Sequence, residues 1–214
     1  MITIYGRATS SNVQLVMWAA AELGIKVDRM DYGHVHGGTD TQEYRAMNPN
    51  GLVPTMRDGD LVMWESAAIL RYLAAQYGSD AFWPAQTATR ATIDMWAEWG
   101  KGLASGAFTG PVFWARVRTA STDRDHAALR VAVDRVDQLL EIAALQIGTN
   151  PFLCGDALTA ADIPLGHILY RWFTMDIARR PNPTVEAYYD RLTQRNAYAT
   201  HVMVPYDALR HPDA

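Results

Sequence analysis

The chain has 214 residues, of which 49% are hydrophobic and 20% are charged. This is ordinary globular composition with ample material for a core, and the length favours two small domains. The formal net charge of -4 gives no broad cationic field, which argues against a nucleic-acid-binding or membrane-surface protein.

The N-terminal sequence, the apolar runs and the cysteine content indicate the compartment in which the protein resides. The N-terminus has no basic segment followed by an apolar one, and no apolar run approaches the roughly 18 residues that a membrane span needs. The single cysteine, Cys154, excludes an internal disulfide framework and a zinc site made of cysteines alone. We therefore expect a soluble, cytoplasmic protein.

The first elements predict a strand, a helix and a strand. Residues 2–5, ITIY, form a short apolar run that Gly6 ends, which is typical of a buried strand. From Ser11 the apolar positions follow helical spacing as far as a stop at Gly24, and residues 25–30 alternate as a second strand does. This order favours a parallel pair with a crossover helix.

A glycine-rich loop and a hairpin follow. After the loop at residues 33–40 and a short helix, the pieces LVPTMR and LVMW flank Asp58-Gly59, a strong signal for a tight hairpin. Residues 65–77 then carry a helical pattern that ends at Gly78. The sequence thus predicts a βαβ-ββα domain over residues 1–78.

The second half predicts helices only. Gly, Ser, Asp and Pro cluster over residues 79–86, which marks a domain boundary. Helical spacing then recurs over 89–118 and 125–147, and two further helices begin at TAAD and at NPT. We expect residues 86–214 to form an all-helical bundle.

Pro54 interrupts the predicted hairpin. If the Val53-Pro54 bond is cis, the backbone N–H and C=O of Val53 face outward and can pair with an extended peptide. The alternative is an ordinary trans proline at a sheet edge.

Glu65 and Ser66 open the helix that follows the hairpin. Backbone N–H groups and the Ser66 hydroxyl there suit a carboxylate, and the Glu65 side chain suits an ammonium group. The pair therefore fits the zwitterionic end of an amino acid, although helix capping alone explains it equally well.

The run TSSN, residues 9–12, joins the first strand to the first helix. It is a typical N-cap cluster. In a βαβ fold this turn also lies at the carboxyl end of the sheet, where a hydroxyl can donate a hydrogen bond to a ligand thiolate.

The motifs NPNGLVPT, WESAAILRYL and LTAADI resemble those of cytosolic glutathione transferases, over almost the whole chain. The resemblance implies a thioredoxin-like domain followed by a helical domain, with glutathione as co-substrate and a homodimer as the assembly. It implies that the proline is cis and that Val53 pairs with the cysteinyl unit of glutathione. Glu65 and Ser66 would bind the γ-glutamyl head.

The resemblance to the serine-type classes places the thiol at Ser10, with Ser11 and Asn12 as rivals. No cysteine occupies this turn, which argues against the deglutathionylating classes. The glycyl carboxylate needs a donor, and five residues remain candidates: His34, His36, Thr39, Gln42 and Asn50.

The electrophile should occupy an apolar pocket built partly by the helical domain. The resemblance places that pocket at the far end of the first helix of this domain, among Phe108, Phe113, Trp114 and Val117, each of which is also a core candidate. We expect no metal, because His34 and His36 lie in a glycine-rich loop with no third ligand.

The sequence therefore predicts a glutathione transferase that adds the glutathione thiolate to small hydrophobic electrophiles. The alternatives are another glutathione-dependent activity on the same fold, such as peroxide reduction, isomerisation or dehalogenation, and a non-catalytic binding or regulatory module.

Overall fold

A computed structural model describes residues 1–213. Its first part is a small sheet with helices, and its second part is helical. None of the helices in these residues is both long and apolar enough to span a membrane.

The sheet has four strands in the order β2-β1-β3-β4. Their bounds are β1 Ile2–Tyr5, β2 Val27–Met30, β3 Thr55–Asp58 and β4 Leu61–Trp64. β1 is parallel to β2 and antiparallel to β3, and β3 pairs with β4 in an antiparallel hairpin. Gly59 takes a φ of +58° in the turn, a conformation that glycine adopts without steric cost. The predicted hairpin is therefore confirmed, and Pro54 lies just ahead of β3 rather than inside it.

The helices of the first part are α1 Ser11–Glu22, α2 Gln42–Met47 and α3 Ser66–Tyr77, with a 3₁₀ turn at His34–His36. α1 and α3 pack against each other. Among the apolar positions that predicted both helices, Val13, Val16, Ile69 and Leu73 are buried. The βαβ-ββα order is confirmed.

The second part has no strand among the described residues. Its helices are α4 Thr87–Trp99, α5 Ser105–Phe108, α6 Ala115–Val117, α7 His126–Ile147, α8 Asp162–Thr174, α9 Pro183–Thr193 and α10 Asn196–His201. Two π-helical stretches, Gly100–Ala104 and Thr109–Trp114, join α4, α5 and α6 into one long helical segment. Gly110 and Pro111 lie in the second of these stretches, where the regular α-helical hydrogen bonds are interrupted and a residue without an N–H is tolerated.

Asp162 organises the start of α8. The side chain is fully buried and accepts hydrogen bonds from the backbone N–H groups of Leu153 at 2.9 Å and Thr159 at 2.7 Å. The hydroxyl groups of Thr159 and Tyr188 also donate to it, at 3.1 and 3.0 Å. Burial raises the pKa of Asp162, and these donors oppose that rise. Asp162 of the TAAD motif therefore connects the loop before α8 to the start of α8 and to α9.

Two helices of the first part contact the second part: α1 packs against α8 and α10, and Arg71 of α3 pairs with Asp94 and Glu98 of α4. Gly166 in α8 permits the approach of α1, because a Cβ at that position would lie 2.6 Å from the Trp18 ring. Arg195 also forms two hydrogen bonds to the Glu22 carboxylate, at 2.8 and 2.6 Å. α1 is thereby held against the helical part.

Candidate active site

A small cleft lies between the turn before α1 and the start of α3. Nine residues line it: Asn12, Asn48, Asn50, Leu52, Val53, Pro54, Trp64, Glu65 and Ser66. Six of them were candidate site residues in the sequence, and they come from three separate segments. The fold therefore brings these segments to one place.

The Val53-Pro54 peptide bond is cis, and Pro54 is buried. The preceding carbonyl, that of Leu52, accepts hydrogen bonds from the Tyr44 hydroxyl at 2.7 Å and from the Asn48 amide at 2.8 Å. Within residues 1–213, by contrast, neither the N–H nor the C=O of Val53 is hydrogen-bonded. Both groups are therefore free to pair with a ligand backbone.

Glu65 and Ser66 carry two unusual features. Glu65 has a φ of +70°, which costs a non-glycine residue roughly 1–3 kcal/mol and is found mostly at functional sites. Ser66 is the first residue of α3 and is only 2% exposed, and its hydroxyl oxygen has no hydrogen-bond partner among the described residues. Because buried polar groups are nearly always hydrogen-bonded, this hydroxyl is a candidate donor to a ligand acceptor.

The end of the turn before α1 and the first two residues of α1 present three polar side chains. Ser10 is the N-cap residue and is 9% exposed, but its hydroxyl accepts no hydrogen bond from the helix N–H groups. Ser11 is half-buried at the first position of α1. Asn12 lines the cleft, whereas Ser10 and Ser11 are not among its lining residues.

Lys101 enters the site from the second part of the chain. It lies in the first π-helical stretch, and its ammonium group donates to Asn12 Oδ1 at 2.9 Å. Burial lowers the pKa of Lys101, while the charges of Glu65 and Glu98 oppose the shift. The sequence analysis missed this residue, because its only local signal is a lysine between two glycines.

The comparisons agree on one family. A family model for the glutathione S-transferase N-terminal domain matches residues 4–81. Glutathione S-transferase GstB of Escherichia coli is 35% identical over 207 residues, which are 96% of this chain and 99% of that protein. The chain belongs to the glutathione S-transferase family.

A solved structure supports the same assignment. The theta class glutathione S-transferase of Xanthomonas axonopodis pv. citri, with glutathione bound, is 45% identical and superposes with a TM-score of 0.89. The match covers 95% of this chain and 98% of that one. Human glutathione S-transferase theta-2 is 31% identical over 67% of this chain and 60% of its own length. Family membership makes glutathione S-transferase the enzyme class and glutathione the co-substrate.

The glutathione S-transferase fold places the five glycyl-carboxylate candidates differently. Asn50 is exposed and lines the cleft. Thr39 is half-buried, and Gln42 is exposed at the first position of α2. His34 and His36 are exposed in the 3₁₀ turn. The cleft itself therefore includes one of the five.

The residues predicted to bind the electrophile are mostly inside the protein. Phe108, Phe113 and Val117 are buried, at 1%, 0% and 0% exposure, whereas Trp114 is 49% exposed. Among these four, only Trp114 offers a ligand a substantial surface.

The fold also bears on metal binding and on cysteine reactivity. Over residues 1–213, no three His, Cys, Asp or Glu side chains form a group that could hold a metal ion. Burial raises the pKa of the Cys154 thiol to about 12, so this thiol is protonated at neutral pH.

Proposed function

We propose that this cleft binds glutathione and that the turn before α1 activates the glutathione thiol for attack on a small electrophile. The observation that carries the proposal is the buried, unpartnered Ser66 hydroxyl beside the unpaired backbone of Val53. In this arrangement Val53 pairs with the cysteinyl backbone, while Ser66 and Glu65 bind the carboxylate and the ammonium of the γ-glutamyl head.

The scale of the activation fits the groups available. A thiol with a pKa near 8.5 is roughly 3% thiolate at pH 7, and lowering that pKa by about 2 units raises the thiolate to roughly 75%. The shift corresponds to about 2.7 kcal/mol. One hydrogen bond to a charged group contributes about 1.5–3 kcal/mol, and the N-terminus of α1 adds to it. A single donor in the turn is therefore sufficient.

The contact with Lys101 favours Asn12 as the donor to the glutathione thiolate. Since the ammonium group has only hydrogens to offer, it fixes Oδ1 of Asn12 as the acceptor. The Nδ2 group is then left as a donor on a residue that lines the cleft. Ser10 remains the rival, because its hydroxyl makes no capping bond.

A titration distinguishes the three candidates. The ultraviolet thiolate absorbance of glutathione bound to the protein is followed against pH for the wild type and for Ser10→Ala, Ser11→Ala and Asn12→Ala. We expect a bound-thiol pKa well below that of free glutathione, and we expect one substitution to move it upward. Saturable binding with an unshifted thiol pKa would refute the proposed activation.

We further propose a cytoplasmic homodimer in which residues 1–78 bind glutathione and residues 86–214 contribute the electrophile site. The lone cysteine suits a reducing compartment. Leu52 and Trp64 at the cleft, with Met95 and Leu103 on the long helical segment, are large apolar side chains that stay exposed in the single chain. Sedimentation equilibrium at micromolar concentration tests the dimer, and a mass of one chain would contradict it.

A further inference from the structure

Three arginines lie together beside the turn before α1. Arg7 comes from that turn, Arg118 from the end of α6 and Arg171 from α8. We call these three residues the arginine cluster. Arg171 is 3% exposed, and the other two are half-buried.

The arginine cluster has no counter-charge among residues 1–213. None of the three guanidinium groups is within ion-pair distance of a carboxylate in this part of the chain, and each has a buried Nε atom without an acceptor. The side chains of Arg7 and Arg118 make no hydrogen bond at all within these residues. Buried charges in proteins are normally paired, so the arrangement lacks an anion.

The charges of the arginine cluster act on one another. Burial and the charges of Arg118 and Arg7 lower the pKa of Arg171 to about 10. Burial and Arg118 lower the pKa of Arg7. The pKa of His34 is lowered by desolvation and by the same two arginines. Burial is the largest cause of each shift, and the repulsion between the neighbouring cations adds to it in the same direction.

One side of the arginine cluster adjoins the proposed thiol position. Arg171 Nη2 donates to the carbonyl of Thr9 at 2.8 Å, one residue before Ser10. On the other side of the turn, a Cβ added to Gly33 would lie 3.3 Å from Arg7 Nη1 and 3.4 Å from Val53 Cγ1. Arg7 and Val53 therefore face the same glycine.

The other side of the arginine cluster adjoins the helical part. The Arg118 guanidinium lies 5.5 Å from the centre of the half-exposed Trp114 ring, and that of Arg171 lies 4.3 Å from the centre of the Phe113 ring. An anion held here would thus lie between the thiol and the residues of the second part that are accessible to an electrophile.

We propose that the arginine cluster binds the carboxylate of the electrophile, so that the preferred substrates are small anionic electrophiles. This inference rests on the transferase activity proposed above. The planar guanidinium matches a carboxylate with two parallel hydrogen bonds, which would also fix the orientation of the substrate. The glutathione sulfur then forms a C–S bond at the electrophilic carbon, and the leaving group departs with the electron pair of the bond that breaks. The carboxylate itself is unchanged.

A matched pair of electrophiles tests the inference. 4-Chloro-3-nitrobenzoate and 4-chloro-3-nitrobenzamide share the ring and the chloride leaving group and differ in charge. The uncatalysed rate of each electrophile is subtracted from its enzymatic rate, and the resulting kcat/KM is divided by the uncatalysed rate constant of the same electrophile. On this scale we expect the wild type to favour the benzoate by about tenfold or more, which is the scale of one charged hydrogen bond. Arg118→Gln and Arg7→Gln should each lower this preference about tenfold. Arg130→Gln, on the exposed face of α7, makes the same charge change as a control and should leave the preference unchanged.

The outcomes separate the possible failures. Preference for the benzamide, or a preference that survives both cluster variants, overturns the inference and leaves the transferase activity standing. A rise in the glutathione KM of the same size with both electrophiles would assign the arginine cluster to the glycyl carboxylate of glutathione and would also overturn it. Absence of turnover with both electrophiles in the wild type would refute the proposed function, and this inference with it. Thermal unfolding of each variant verifies that the fold is intact.

Discussion

Replacing Ser66 with alanine separates a ligand-binding role from a structural one. The hydroxyl is buried at the first turn of α3 and has no partner within residues 1–213. Its removal breaks no hydrogen bond of the free protein, and it eliminates a buried oxygen that has no hydrogen-bond partner there. We therefore expect the free energy of unfolding of Ser66→Ala to stay within about 0.5 kcal/mol of wild type or to increase.

Glutathione binding should respond differently. A hydrogen bond to a carboxylate contributes about 1.5–3 kcal/mol. Since about 1.4 kcal/mol corresponds to a factor of ten, the dissociation constant for glutathione should rise roughly 10- to 150-fold. Isothermal titration calorimetry measures the binding, and urea unfolding measures the stability of the same preparations.

Ser105→Ala is the matched control, because Ser105 is also buried, at 3% exposure, but lies in α5 away from the cleft. It should leave glutathione affinity unchanged. If Ser66→Ala binds glutathione like the wild type, or loses several kcal/mol of stability, then the unpartnered hydroxyl does not mark the γ-glutamyl site and the reasoning is wrong.

Two further substitutions test groups on either side of the site. Lys101→Met removes the cation that orients Asn12, so the pKa of the bound glutathione thiol should rise and kcat/KM should fall about tenfold, as measured by thiolate absorbance and steady-state kinetics. Unchanged values would exclude Lys101 from the site. Asp162→Asn replaces a buried carboxylate that four donors share, and it should lower the free energy of unfolding by roughly 3 kcal/mol or more in urea, because an amide presents its own hydrogens to some of those donors. The exposed Asp156→Asn serves as its control, and equal stability of the two variants would contradict this role.

The fold could be predicted from the sequence because its signals are local. The helical spacing from Ser11 and the Asp58-Gly59 turn each fix an element within a dozen residues. The cleft residues Pro54, Glu65 and Ser66 lie within one short stretch of the chain. Only the hairpin and the start of α3 are needed to bring them into contact with the same cleft. Interactions within a short stretch of chain depend little on the rest of the protein.

The part of the site contributed by the second half could not be predicted in this way. A π-helical turn contains an additional residue, which rotates the following residues by about 100° relative to a regular α-helix. Two such stretches precede Val117, so regular helical spacing does not give the face that each later residue presents. Phe108, Phe113 and Val117, which the family resemblance placed at the electrophile pocket, are buried, while Lys101 reaches Asn12.

The same contacts show how the helical half bears on the proposed chemistry. Arg171 holds the carbonyl of Thr9 at 2.8 Å, and Lys101 holds the side chain of Asn12 at 2.9 Å. Thr9 lies in the turn before α1 and Asn12 at the second position of α1. Neither belongs to the segments that carry Val53 and Ser66. In the proposed mode of binding the first half supplies the backbone and hydroxyl groups for glutathione, whereas the orientation of the residues proposed to bind the thiol depends on the second half. A substitution in that half can thus reduce thiol activation while leaving glutathione affinity intact, because the two properties rest on different sets of contacts.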